Sequence, residues 1–146
     1  EKMKGAVHQL GKLDMRSLRS CLCQCDVFLL PSLWENCPYS CLEAMAAGRP
    51  IVSSDQGGMR EMILDDETGL LAASGDSASF VSQIRRLLDD AGLRKRLGTA
   101  ARRAVEATFS DARIARLSLD HYQGVIDGTG YHRDYDPPPG EDRDGL

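Results

Sequence analysis

Short apolar runs alternate with amphipathic stretches along most of this chain. Residues 27–30 and 50–54 are largely apolar, and an unbroken run such as 27–30 is typical of a strand covered on both faces of a parallel sheet. Between them, residues 41–47 have the composition of a buried helix. The order strand, loop, helix, strand predicts an α/β fold built on a parallel sheet.

Capping and turn residues divide the rest of the chain into further short elements. The predicted elements are a strand at 7–10 that ends at Gly11, a helix capped by Asp14, a short helix at 59–63, a short strand after the Thr68-Gly69 turn, a helix capped by Asp76 and broken by Gly92, a helix reaching about Thr108, and a last helix starting at Ser110.

Composition separates the end of the chain from its body. A chain of 146 residues is long enough for one domain with a core and too short for two. Residues 127–146 are rich in Gly, Asp, Tyr and Pro, with too little apolar content to build a core. We therefore expect one folded domain over residues 1–126 and a disordered, acidic, proline-rich tail over 127–146.

The net charge of −4 comes from the tail, so the body is close to neutral. No basic stripe with interleaved aromatic residues is present, which argues against nucleic acid as a partner. A cluster of Arg and Lys at 94–103 is bounded by Asp89-Asp90 and Glu106, and this pattern favours a solvated helix face. No apolar run approaches the length of about 20 residues that a membrane span needs.

Five cysteines, an odd number, and no recognisable signal peptide favour a reducing cytoplasm over a disulfide scaffold, with a membrane-peripheral position left open. Cys21, Cys23 and Cys25 have spacing that invites a metal interpretation. In a helix, however, Cys23 points away from the other two, and no His lies nearby. We expect small apolar residues in a packed helix, and we predict no metal site.

The pair Glu35 and Glu43 is the most informative feature. Glu35 follows the predicted strand at 27–30, and parallel sheets bind ligands beyond the carboxyl ends of their strands. Glu43 has a structural alternative, because Ser40 and Glu43 fit a capping box. Glu43 also has a functional alternative, because a carboxylate in a buried helix requires hydrogen-bond donors such as ribose hydroxyls. Glu35 likewise suits either a ligand contact or a solvated loop, so the residues alone leave both roles open.

A longer pattern narrows these alternatives. The segment P-S-x-x-E-x-x-P-x-x-x-x-E-A-M-A-x-G-x-P-I-V, followed by Gly57-Gly58-x-x-Glu61 and Thr68-Gly69-Leu70-Leu71, resembles the C-terminal part of a retaining GT-B glycosyltransferase. The similar group is the sucrose-synthase-like family 4, in its glycosyl transferases group 1 domain, over residues 7–108. The resemblance implies a partial Rossmann-like parallel sheet with flanking helices, the C-terminal half of a nucleotide-sugar-binding domain.

The resemblance also implies roles for residues. Glu35 would be the catalytic residue that contacts hydroxyls of the donor sugar, and Glu43 would hydrogen-bond the ribose. Main-chain amides near the following helix start would face the diphosphate, and two glycines would let the chain pass close to the donor. The implied donor-binding residues are Glu43, Asn36, Cys37, Tyr39, Ser40, Gly57 and Gly58. Asn36 and Cys37 depart from the usual family residues, whereas Pro38 occurs in a sizeable subset of the family and removes one amide donor.

The family's Arg and Lys that neutralise the diphosphate, and its acceptor-binding domain, have no counterpart in this sequence. We therefore expect a fragment that binds a nucleotide-diphosphate sugar for retaining transfer to an unknown acceptor, with no cofactor and no activity as an isolated chain. The alternative is a non-catalytic remnant or interaction module whose site needs a missing N-terminal domain or a partner chain to complete it.

Overall fold

The computed structural model describes residues 6–129, and the tail predicted at 127–146 lies, from residue 130 onward, outside the described residues. The three strands form one parallel sheet in the order β1-β2-β3. This confirms the predicted α/β class with flanking helices. The elements are α1 (Met15–Gln24), β1 (Phe28–Leu30), α2 (Tyr39–Ala46), β2 (Ile51–Ser54), α3 (Met59–Met62), β3 (Leu70–Ala72), α4 (Ser77–Asp89), α5 (Ala91–Thr108) and α6 (Asp111–Ile126).

Strand β2 is the centre of the core. All of its residues are buried, and neighbouring side chains point to opposite faces of the sheet. Ile51 belongs to a cluster that includes Met45 of α2 and Ala101 of α5. Val52 belongs to a second cluster that includes Leu87 of α4. The sheet is therefore covered on both faces around β2, and this cover holds the carboxyl ends of the strands in place.

Strand β1 differs from its prediction. Among residues 6–129 it pairs with β2 alone, in the register Phe28 to Ile51, and Leu29 is 44% exposed. The expectation of cover on both faces is wrong for β1, because an apolar run does not distinguish a central strand from an edge strand. The strand predicted at 7–10 is also wrong. That segment makes no ladder within the described residues, and Val7 is 59% exposed.

Two predicted caps are confirmed. The side chain of Asp14 accepts a hydrogen bond from the amide of Ser17 at 2.7 Å, and this bond lowers the pKa of the Asp14 carboxyl. The side chain of Asp76 accepts from the amides of Ala78 and Ser79. Each carboxylate satisfies amides that the first helical turn leaves without a partner.

The break between α4 and α5 lies at Asp90, whereas Gly92 was expected to supply it. Asp90 has extended backbone and accepts a hydrogen bond from the amide of Leu93 at 2.9 Å, so it ends one helix and caps the next. Gly92 lies within the first turn of α5. The helix predicted from Ser110 is present as α6, although the Ser110 side chain makes no capping bond.

The cysteines of α1 are less buried than expected. Cys21 and Cys23 are exposed and Cys25 is partly buried, so the prediction of a packed cysteine face is wrong. Helix α1 buries only the narrow side that carries Leu22. Within residues 6–129, no group of three or more His, Cys, Asp or Glu residues is placed to hold a metal ion. None of the helices described here combines the length and apolar character needed to cross a membrane.

Helix α6 buries none of its side chains. The basic cluster on α5 is solvated as predicted, with Lys95, Arg96, Arg102 and Arg103 exposed. Two of these cations also make surface ion pairs. Arg102 bonds Glu106 at 2.8 Å within α5, and Arg96 lies 3.4 Å from Asp66 in the loop before β3.

Candidate functional site

Glu35 lies in the loop between β1 and α2, beyond the carboxyl end of the sheet, as the sequence predicts. The loop is attached to the core at its start. The buried hydroxyl of Ser54, at the end of β2, donates a hydrogen bond to the carbonyl oxygen of Ser32 at 2.6 Å. The path of the chain toward Glu35 is therefore set by the central strand.

The turn after β2 packs directly on the Glu35 backbone. The amide of Gly58 donates a hydrogen bond to the carbonyl oxygen of Glu35 at 2.8 Å. Gly57 has a φ of 59°, and a Cβ there would overlap the same carbonyl oxygen. A Cβ at Gly58 would overlap the carbonyl oxygen of Asn36. Gly57 and Gly58 thus let the turn after β2 contact the loop that carries Glu35. The close approach that they allow is to the backbone of Glu35 and Asn36.

Asp55 fixes the other side of this turn, a role that was not predicted from the sequence. Its amide donates to the carbonyl of Ala72 at 3.0 Å, and its carboxylate accepts from the amide of Ser74 at 3.1 Å. Arg60 also bonds the carbonyl and, at 3.4 Å, the carboxylate of Asp55. Asp55 therefore joins the ends of β2 and β3 to α3. The sequence signal for this role of Asp55 was its position directly after a strand and shortly before Gly57-Gly58.

The capping box of Ser40 and Glu43, the structural alternative for Glu43, is not formed. Helix α2 begins earlier, at Tyr39, with Pro38 as its N-cap and no side-chain capping bond. The carbonyl of Pro38 accepts the amides of Cys41 and Leu42. Ser40 therefore lies inside the first turn and Glu43 in the second. The physical reason is the φ of −72° at Pro38, which suits a residue next to a helix start and places that start before Ser40.

The helix start presents unused amides. Within residues 6–129, the amides of Asn36, Cys37, Tyr39 and Ser40 donate to no acceptor of the protein. The first amides of a helix have no partner inside it, and together with the helix dipole they favour an anion. The residues predicted to face a diphosphate therefore carry free donors, and Pro38 supplies none.

The two glutamates are partly buried. Across the described part of the chain, neither carboxylate makes a hydrogen bond or an ion pair. Glu43 follows Tyr39 by four positions, so its side chain lies on the same face of α2, one turn further along. Acceptor oxygens are thus available both in the loop and on the helix.

Helix α2 is buried on one side only, which corrects the expectation of an apolar helix buried all round. Cys41, Ala44 and Met45 are buried, whereas Tyr39 and Ser40 are exposed. Burial raises the pKa of the Cys41 thiol to about 12, so this thiol stays neutral and acts as an apolar core group. The exposed side of α2 is the side available to a ligand.

Comparison with known proteins gives matches along most of the chain. The family model for glycosyl transferases group 1 matches residues 1–104. Glycogen synthase of Mycobacterium tuberculosis is 33% identical over 117 residues, which are 80% of this chain and 28% of that protein. A Campylobacter jejuni N,N'-diacetylbacillosaminyl-diphospho-undecaprenol alpha-1,3-N-acetylgalactosaminyltransferase is 40% identical over 124 residues, 84% of this chain and 32% of the relative. The chain thus spans about a third or less of the length of these relatives.

Solved structures share the fold. Sucrose-phosphate synthase from Thermosynechococcus elongatus superposes with a TM-score of 0.76 at 29% identity, over 82% of this chain and 30% of that one. Anabaena Alr3699/HepE, in a complex with UDP-glucose, superposes with a TM-score of 0.79 at 20% identity, over 84% of this chain and 34% of that one. The second likeness concerns the fold alone.

Proposed function

This chain belongs to the glycosyl transferases group 1 family, and from that membership we propose that it forms the donor-binding part of a glycosyltransferase that uses a nucleotide-diphosphate sugar. The proposal rests on one observation. The loop with Glu35 and the start of α2 present free amides and two carboxylates without protein partners, beyond the carboxyl end of a parallel sheet.

The free amides are proposed to bind the diphosphate. Cys37, Tyr39 and Ser40 would donate to phosphate oxygens, and the positive end of the α2 dipole would favour the charge that grows on the leaving nucleotide. Arg60, the basic residue next to the glycine turn, already bonds Asp55. Arg60 is therefore already engaged, and we expect cations outside this loop and turn to neutralise the rest of the diphosphate charge.

The carboxylates of Glu43 and Glu35 would bind the ribose and the donor sugar, respectively. Glu43, one turn into α2, would accept hydrogen bonds from the ribose hydroxyls of the nucleotide. Glu35 would accept hydrogen bonds from the donor sugar and hold it for transfer with retention. Gly57 and Gly58 would serve this positioning through their contact with the Glu35 backbone.

UDP is the first nucleotide to test, because a protein of the same fold, Anabaena Alr3699/HepE, was solved with UDP-glucose. No step of this proposal requires a metal ion or a cofactor. The relatives are about three times longer than this chain, and transfer needs an acceptor held next to the donor. We therefore propose that the 146-residue chain alone binds the donor without transferring the sugar.

The test is calorimetric titration of the folded chain with UDP and UDP-glucose in buffer that contains EDTA. We expect Glu43→Ala to weaken binding of both ligands at least about tenfold, as for a lost charged hydrogen bond. Glu35→Ala is expected to weaken UDP-glucose and spare UDP. The matched control is Glu67→Ala, an exposed acid in the turn before β3. A folded chain that gives no binding with UDP, GDP or ADP contradicts the proposal.

A second candidate is a non-catalytic interaction module that completes its sheet with another polypeptide. The free edge of β1 favours it, since among the described residues this strand has β2 as its one neighbour. An unpaired strand edge is a ready template for another strand. Restored sugar transfer on mixing with a complementing polypeptide would favour the enzyme, whereas assembly without transfer would favour the module.

A further inference from the structure

Three large apolar side chains are exposed in the loop that carries Glu35. Leu33 is 71% exposed, Trp34 is 67% exposed, and Tyr39, at the start of α2, is 79% exposed. Trp34 directly precedes Glu35 in the chain. These apolar side chains lie within a few residues of Glu35 in the chain, so a ligand that binds at Glu35 could also meet apolar surface.

The loop presents these side chains on a fixed backbone. Ser54 holds its start through the carbonyl of Ser32 at 2.6 Å, and Gly58 holds its middle through the carbonyl of Glu35 at 2.8 Å. Leu33 packs beside Gly75, in the loop after β3. The backbone of this loop is therefore ordered before a ligand binds, and this lowers the entropic cost of binding.

Apolar and hydrogen-bonding groups alternate along the loop. Trp34 is followed by Glu35 and Asn36, and Tyr39 is followed by Ser40. A pyranose ring has matching chemistry, because it carries apolar C–H groups on its faces and hydroxyls around its rim. A stable protein interface needs about 1,200 Å² or more of buried surface, which side chains of a single loop do not provide. A membrane-binding surface would be accompanied by basic residues, and the loop has none.

We propose that Trp34 is the floor of a subsite on which a pyranose ring stacks, next to the hydrogen-bonding groups of Glu35. This inference rests on the proposed function and adds a contact to it. The ring belongs either to the sugar of the nucleotide donor or to a glycoside acceptor, since both present the same C–H face. Aromatic rings supply such contact at a low entropic cost, because they have two rotatable side-chain bonds.

Trp34 is the single tryptophan of the chain, so its fluorescence reports on the subsite directly. The probes are UDP, UDP-glucose, UDP-N-acetylglucosamine and methyl α-D-glucopyranoside added after UDP. We expect a blue shift of the emission with a sugar-bearing probe and none with UDP. A shift with the nucleotide sugars assigns the ring to the donor. A shift only with the glucoside assigns it to an acceptor.

Trp34→Ala is expected to weaken the sugar-bearing ligand about tenfold and to leave UDP affinity within about twofold, while Trp34→Phe retains most of the affinity. The matched control is Tyr122→Ala, an aromatic residue of α6 that is 63% exposed. Circular dichroism checks that each variant is folded, which we expect because both side chains are exposed.

The outcomes separate the two proposals. Binding of UDP to the wild type, with the affinity of every sugar probe unchanged in Trp34→Ala, overturns the stacking subsite and leaves the proposed function in place. An emission that does not respond to any sugar probe while UDP binds has the same meaning. A folded wild type that binds neither UDP nor a UDP-sugar overturns both.

Discussion

The loop from residue 31 to 40 and helix α6 both expose large apolar side chains, and they differ in what holds their backbones. Trp34 in the loop and Leu119 in α6 are each 67% exposed. The loop is attached to the core by hydrogen bonds from Ser54 and Gly58. Helix α6 buries none of its residues, and the hydrogen bonds of Ser118, Gln123 and Thr129 link residues of the helix to one another and to the turn that follows it.

This difference shows that exposure alone does not identify a binding site. A helix that buries none of its side chains gains little stability from tertiary packing and opens locally at low cost. A loop fixed by the central strand keeps its side chains in place, as a ligand site requires. The following substitutions test how firmly each region is held, beginning with the largest expected effect.

Gly58→Ala should most strongly disturb the loop. The new Cβ overlaps the carbonyl oxygen of Asn36, and backbone atoms on both sides must move. We expect a loss of about 3 kcal/mol in the free energy of unfolding, at the upper end for overpacking. Urea denaturation measures the loss. Gly92→Ala, in the first turn of α5, is the matched control.

At Gly92 the added methyl group would lie 3.1 Å from Asp90 Oδ1, the oxygen that caps α5, so the cap must shift slightly, and the higher helix propensity of alanine offsets this cost. The expected change is within about 0.5 kcal/mol. Equal losses in the two variants would show that the contact between Gly58 and Asn36 does not hold the loop.

Ser54→Ala and Ser118→Ala compare one hydrogen bond in the two regions. The Ser54 hydroxyl is buried and donates to Ser32 at 2.6 Å, whereas the Ser118 hydroxyl is exposed and donates to Ile114 at 2.9 Å within α6. We expect Ser54→Ala to cost about 1 kcal/mol in urea denaturation. Ser118→Ala should be neutral or slightly stabilising, because alanine is the better helix former. A reversed order would contradict the comparison.

Asp66→Asn tests a third region, where the contacts are charges at the surface. Hydrogen bonds and charge from Arg86, with a smaller effect of Arg96, lower the pKa of the Asp66 carboxyl. A lowered folded-state pKa stabilises the protein above the unfolded pKa of about 3.9, and this stability is lost as pH falls through the folded pKa. Asparagine also tolerates the φ of 61° found at Asp66.

We expect the Asp66→Asn variant to be less stable than the wild type by about 0.5 kcal/mol at pH 7, since the ion pairs are exposed to solvent and screened. The difference should shrink as the pH falls below about 3.9 and through the lowered pKa of Asp66, because protonation removes the charge. Urea denaturation at each pH measures it, and UDP binding should not change. A difference that stays constant from pH 7 to about pH 2 would show that charge is not the cause.

Features of the site could be predicted when the interacting residues lie close together in the sequence, and not when they lie far apart. Asp14 and Asp76 were correctly placed as caps because capping depends on residues within one turn. The capping-box alternative at Ser40 is wrong because Pro38 starts the helix earlier, so two local signals competed. The contact of Gly58 with Glu35 joins residues far apart in sequence, and no local pattern could show it.

The amino-acid sequence by itself determined the order of helices and strands, the place of Glu35 beyond a strand, and the family pattern. These depend on apolar period, caps and residue spacing, which are local. Tertiary structure alone decided that β1 has β2 as its one neighbour in the part of the chain that is described, that 7–10 is no strand, and that Gly57 and Gly58 pack on the Glu35 loop. It also left Trp34 exposed on a fixed backbone. Strand neighbours and loop contacts depend on distant segments meeting in space, and their free energy is not contained in any short stretch of sequence.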